Sequence, residues 1–281
     1  MMKKFLSLFL ATLMLCTSMA AAVDVSDSIS SDPPYAVKTN ELAVYLEECN
    51  ASASDENLIS AVNQYCTAYK NLGVFSDDEL TAMGYSAETV ALVSELRANP
   101  DYQPTLSELN DASATMTFYP KTFVASTANN TTDVTFNWTF RWDSRPTVCR
   151  TDAIYAAWSL DESVVRGLDY TVTYSDGVTR TYSDGIYGMK VTQKDEQSMY
   201  MTFRMGRDDS ANAWCKSGSG TFTIHADTRY TFVQAKWGYG HQNNDVDDVE
   251  INVTWGSAGL KFDTEDNYAT MFSNIQTFYV N

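Results

Sequence analysis

The chain has 281 residues, 44% of them hydrophobic and 13% aromatic, which is enough to bury a large core and too much for a disordered chain. Its 19 basic residues stand against 36 acidic ones, a formal net charge of −17. So acidic a surface repels nucleic acid and anionic membranes, which are bound largely through positive charge. Cationic partners, calcium and neutral ligands such as glycans stay open.

Residues 1–22 read as a secretory signal peptide. Lys3 and Lys4 give the positive start, Phe5 to Cys16 a short apolar run, and Ala20, Ala21 and Ala22 the small-residue cleavage signature. The run is shorter than the roughly 20 residues that span a bilayer. Leu15 is too bulky for the position before a lipoprotein cysteine. The reading is therefore of a secreted chain, extracellular or associated with the cell surface, with no transmembrane segment. Cleavage removes two lysines and no acid, which leaves 17 basic residues against 36 acidic ones. It also leaves Cys49, Cys66, Cys149 and Cys215, an even number that permits disulfides in an exported chain.

Residues 23–38 read as a flexible mature N-terminus, and residues 39–99 as a helical region. Leu42, Tyr45, Leu46 and Cys49 form a helical stripe behind Asn40, a plausible N-cap, and Ile59, Val62, Cys66 and Tyr69 form a second. Ser76-Asp77-Asp78-Glu79 has the form of a capping box, opening a helix that Gly84 would close. Ser86 caps a further helix that Asn99-Pro100 stops. Residues 100–114 are polar, carry Pro100 and Pro104, and read as a linker or covering segment. A hairpin of the first two helices puts Cys49 and Cys66 about 16 Å apart at the helical rise, too far for a bridge. Both are expected to be buried thiols.

From residue 115 to 281 the period is two. Val134, Phe136, Trp138, Phe140 and Trp142 alternate with polar residues, as do Met199, Met201, Phe203 and Met205. Shorter rows follow at Ile154–Trp158, Phe222–Ala226 and Val249–Trp255. Asp176-Gly177 suits a type I′ hairpin turn. Short strands with turns between them favour an antiparallel sandwich, because parallel strands need crossover helices. The fold class is α+β, a small N-terminal helical region followed by an all-β antiparallel sandwich.

The alternating stretch Asn137 to Asp143, followed by Asp152 to Ser159, resembles uncharacterised exported proteins of Gram-positive bacteria. The resemblance implies origin and compartment and brings no activity. Met83-Gly84-Tyr85 resembles the connecting loop of ubiquitin-associated domains over about twenty residues. It lacks their third helix, and an exported chain meets no ubiquitin, so an ordinary capped helical hairpin is the reading kept.

Candidate chemistry is sparse. The two histidines are His225, on the polar face of its strand, and His241, in a glycine-rich stretch. Neither stands beside a nucleophile as acyl transfer requires. A glycosidase needs only two carboxylates at the right separation, and 36 acids offer many pairs. Asn243, Asp245, Asp247 and Asp248, with Asn244 and Glu250, crowd oxygen ligands into one loop, a candidate calcium site. Trp214 and the alternation Trp237-Gly238-Tyr239-Gly240-His241 place rings outside the apolar rows. Trp214, Trp237, Tyr239 and His241 are therefore the candidate ligand-binding residues, with rings to stack on sugar faces. Cys149 and Cys215 are expected to form a disulfide worth roughly 4 kcal/mol. The functional reading is an exported, non-enzymatic binding or surface-interaction protein for a glycan or another neutral ligand. Its rival is a secreted carbohydrate-active hydrolase using two carboxylates.

Overall fold

An alternating row such as Val134 to Trp142 dries one face when it pairs as a strand. The computed structural model carries it as β3 (Thr131–Trp142), whose alternate residues are buried throughout. The structure describes residues 37–48, 55–128, 130–183, 191–195, 197–207, 209–242, 251–256, 259–264, 268–272 and 276–279. The signal-peptide reading, Cys49 and the calcium loop at 243–250 lie outside them.

Among the described residues, five helices lie between the first two strands: α1 (Glu41–Glu48), α2 (Asp55–Leu72), α3 (Asp77–Met83), α4 (Ala87–Ala98) and α5 (Leu106–Ala112). The expected caps are present. Asn40 Oδ1 accepts from Ala43 N at 2.8 Å, Ser76 and Glu79 form a capping box, Gly84 closes α3 at φ 95°, and Ser86 caps α4. The segment expected as a linker is different. Thr105 and Glu108 make a second capping box that opens α5, Leu109 is fully buried, and Thr89 of α4 donates to Ala112 O at 2.6 Å. The polar residues of 100–114 hide a helix of less than two turns, anchored by Leu109 and Ala112 and too short to show a period. Leu42, Leu46, Tyr65, Tyr69, Leu80, Val93, Leu96 and Leu109 close this region's own core.

Two antiparallel sheets face each other behind the helices. The first runs β1 (Val37–Asn40), β2 (Thr115–Ala128), β3, β10 (Ser210–Ala226), β5 (Ser163–Tyr174) and β6 (Thr179–Ser183), with β9 (Gly206–Arg207) beside β10. The second runs β14 (Tyr268–Phe272), β11 (Phe232–Gln242), β4 (Thr151–Trp158), β8 (Ser198–Arg204) and β7 (Val191–Asp195), with β15 (Gln276–Tyr279) also on β11. A ribbon of β12 (Ile251–Gly256) and β13 (Gly259–Thr264) lies against β4 and β8. Val37 and Lys38, expected in the flexible N-terminus, belong to β1 and pair with β2. Facing rings fill the sandwich: Phe136 meets Trp237 edge-on at 5.1 Å, and Phe140 stacks on Phe203 at 5.0 Å.

Two local details depart from expectation. The β5–β6 turn has only Gly177 at positive φ, with Gly177 N donating to Tyr174 O and Tyr174 N to Val178 O. This is the three-residue hairpin with a left-handed glycine, and not type I′, which needs two positive φ values. Cys149 and Cys215 are free thiols. Met205 donates to Arg150 O, next to Cys149, and accepts from Cys215 N. The Cys149 thiol donates instead to Pro146 O, and that of Cys215 to Ser217 O. Cys66 is a buried thiol, as expected.

Candidate functional site

The aromatic loop end expected to meet a ligand does not exist as a loop. Trp237, Tyr239 and His241 lie in β11 and Trp214 in β10, and all four are at most 3% exposed. Trp237-Gly238-Tyr239-Gly240-His241 is itself a period-two strand row, large rings inward and glycines outward. The glycines serve packing. A Cβ on Gly238 would lie 1.7 Å from the Tyr155 ring, which covers that outer position and donates to Tyr239 O at 3.0 Å. Trp214 packs under Gly84, where an added Cβ would come within 2.7 Å of its Nε1. These are core residues, and the ligand-stacking role falls with their exposure.

Tyr239 and His241 nevertheless belong to a polar constellation that the sequence reading missed. The β11–β4 register pairs Tyr239 with Ile154 and Gly240 with Ala153, so its next step sets His241 opposite Asp152. His241 Nδ1 lies 2.9 Å from Asp152 Oδ1, and Tyr239 Oη donates to Asp152 Oδ2. Trp142 Nε1 donates to Tyr239 Oη at 3.1 Å. On the other side of the imidazole, His241 Nε2 stands 3.6 Å from Glu41 Oε1. Glu41 opens α1. Its carboxylate accepts from Thr147 N at 2.7 Å, from Val148 N at 2.9 Å and from Tyr65 Oη at 3.2 Å. Both carboxylates are fully buried. Burial alone would lower the His241 pKa, but the charge and hydrogen bond of Asp152, with Glu41 beyond, outweigh it and raise it to about 10. Burial pushes Tyr65 well above the ordinary phenol range and Tyr69 up to about 12, with Glu41 adding to both.

The readable signal for Asp152 was its place. It opens the otherwise apolar run Ala153–Trp158 in phase with Ile154, Ala156 and Trp158, all buried. Glu41 gave no such signal, because an acid just after an N-cap is ordinary helix chemistry.

The cluster is removed from solvent. What opens to solvent beside it is a cleft of about 510 Å³ between the helices and the end of the first sheet. The α3–α4 turn supplies Gly84, Tyr85 and Ser86, and α4 supplies Glu88. Asn110, Asp111 and Ser113 come from the end of α5, Asn40 and Thr115 from the first strands, and Asp143 and Ser144 from the β3–β4 loop. Glu88, Asp111 and Asp143 are exposed carboxylates, and no lysine or arginine is among the lining residues. Tyr85 is buried to 8% exposure beneath the Arg145 guanidinium, 5.4 Å from its ring, so the cleft offers no flat ring. Asp143 Oδ1 accepts from Thr115 N at 2.8 Å and from Ser144 Oγ at 3.1 Å, which fixes that wall. Asp111 sits in the last turn of α5, where the negative end of the helix dipole disfavours an acid. Ser113 joins the cleft to the buried cluster, 3.1 Å from Tyr65 Oη.

His225 lies on the outer face of β10, as its strand position implies, between Asp133 at 2.7 Å and Asp227 at 2.9 Å. Hydrogen bonds to these two carboxylates raise its pKa. Among the described residues no group of three or more His, Cys, Asp or Glu is placed to hold a metal ion. No described helix is long and apolar enough to cross a membrane.

No protein-family model matches the chain, and no curated protein matches it in sequence. Solved structures similar to it include the collagen-binding subdomain of the Enterococcus faecalis surface protein ACE, at 9% identity and TM-score 0.29, covering 56% of this chain and 94% of that one. The collagen-binding domain of a Staphylococcus aureus adhesin follows at 8% and 0.28, with the same coverage. The Clostridium perfringens NetB toxin in its membrane-inserted form is similar at 7% and 0.25, covering 59% and 91%. At such scores neither a shared ligand nor a shared residue role follows.

Proposed function

We propose that this is an exported, non-enzymatic binding protein that takes a positively charged segment of its partner into the cleft between helices and sandwich. The acid-lined cleft without a basic residue carries the reading. Its three carboxylates fit lysine, arginine or amine groups, and the chain's net charge of −17 adds a long-range attraction of the same sign. The sugar-stacking version has lost its rings to the core, which moves the ligand class from neutral glycan to cation. Asp111 supports the same view, since an acid against a helix C-terminus costs stability and needs another use. The histidines and described cysteines are taken up elsewhere. His241 is sealed between carboxylates, His225 is bridged at both nitrogens, and burial raises the pKa of all three described thiols, that of Cys149 to about 12.

Titration calorimetry with an oligolysine peptide tests this. Binding is expected at low ionic strength, weakening as salt shortens the reach of the cleft's field. The Glu88→Gln, Asp111→Asn double variant should lose at least about tenfold in affinity, roughly 1.4 kcal/mol, with little change in melting temperature. A neutral oligosaccharide bound equally well by wild type and variant would contradict the reading. Release of reducing ends from a glycan panel would establish the hydrolase instead.

A further inference from the structure

The Glu41–His241–Asp152 cluster is placed at a joint. Glu41 belongs to the helical core's first helix, whereas His241 and Asp152 belong to the second sheet of the sandwich. The Glu41 carboxylate reaches across the joint to two backbone N–H groups of the β3–β4 loop. Its own N–H donates to Ala114 O at 2.9 Å. The imidazole lies between two carboxylates that are each wholly removed from solvent. Two buried like charges this close repel strongly unless a cation separates them.

We propose that His241, as an imidazolium, is a latch that holds the helical region on the sandwich, and that loss of its charge releases α1 and the helices behind it. Facing Asp152 are the Tyr239 hydroxyl and, farther off, the Cys149 and Cys215 thiols. Facing Glu41 are the Tyr65 and Tyr69 hydroxyls of α2, and the Trp142 ring lies 5.0 Å from the imidazole. Arg145 lies over the Tyr85 ring and donates to Asn212 O. Removing one partner of a buried charge set leaves the others uncompensated, which is the costly half of such an arrangement. The inference stands apart from the cleft's function, since it concerns only how the two parts are joined.

Hydrogen exchange of the full chain at neutral pH tests it by comparing His241→Gln with the double variant His241→Gln, Asp152→Asn. Amides of α1 and α2 should lose more than about a hundredfold in protection in the single variant, while those of β3 and β10 keep theirs. Neutralising Asp152 should then restore at least about tenfold, because it removes one of the two buried like charges and leaves Glu41 with its backbone and Tyr65 donors. The rescue keeps the test decisive even if the single variant unfolds altogether, since a ring that served only as filler would not be replaced by removing a carboxylate's charge. Unchanged helix protection in His241→Gln, or no recovery in the double variant, would overturn the latch.

Discussion

At the scale of single residues, the aromatic chemistry turned out to be packing. Trp138 and Trp237 are 1% and 0% exposed, so truncating either to alanine should cost about 3–5 kcal/mol, measured by urea denaturation. A Trp237→Ala variant that stays near wild-type stability would contradict the burial of that ring. His241 contributes to the pH dependence, alongside His225 and the buried thiols, whose pKa values are also raised. Its folded pKa of about 10 lies above the 6.5 of the free side chain, so protonation favours the folded state. That stability is complete below about pH 6.5 and is lost as pH rises through about 10. Thermal melting followed from pH 6 to 10 should fall in the wild type and fall less in His241→Gln, Asp152→Asn. Melting temperatures that rise across this window would refute the sign.

At the scale of elements, most of the structure was legible because it rests on short-range rules. The caps at Asn40, Ser76, Ser86 and Gly84 were visible as residue types and are present in the geometry. So were the strand rows of β3, β4, β8 and β10; the period of two survives in the burial of β3 and of Phe222–Ala226, whereas β4 and most of β8 are buried on both faces. The misreadings have physical causes. Trp237 to His241 looked like a loop because glycines break strand propensity, yet Gly238 makes room for the Tyr155 ring. α5 was missed because a seven-residue helix shows less than two turns of pattern, although Thr105 and Glu108 spelled its capping box. That box supplies a further expectation. Thr105→Ala should cost about 1 kcal/mol, whereas Leu109→Ala, at a fully buried position, should cost about 2–5 kcal/mol. Chemical denaturation of both variants checks the order. Equal, negligible effects would mean that residues 100–114 act as the linker first expected.

At the scale of the whole molecule, the helices and sandwich have separate hydrophobic clusters but share a polar joint. Polar contacts between distant segments, such as Glu41 with Thr147 and Val148, leave no periodic trace in a sequence. Neither the buried cluster nor the cleft was therefore legible beforehand. The acidic balance was legible, and it has its local counterpart in the carboxylates at the mouth of the joint. The most direct test of the account is to map where a cation binds. An isotope-labelled chain titrated with oligolysine should show amide shifts concentrated at Ser86, Glu88, Asn110, Asp111 and Ser144, saturating together and vanishing in the Glu88→Gln, Asp111→Asn variant. Shifts scattered over the outer sheet faces, or shifts at the cleft that persist in the variant, would contradict it.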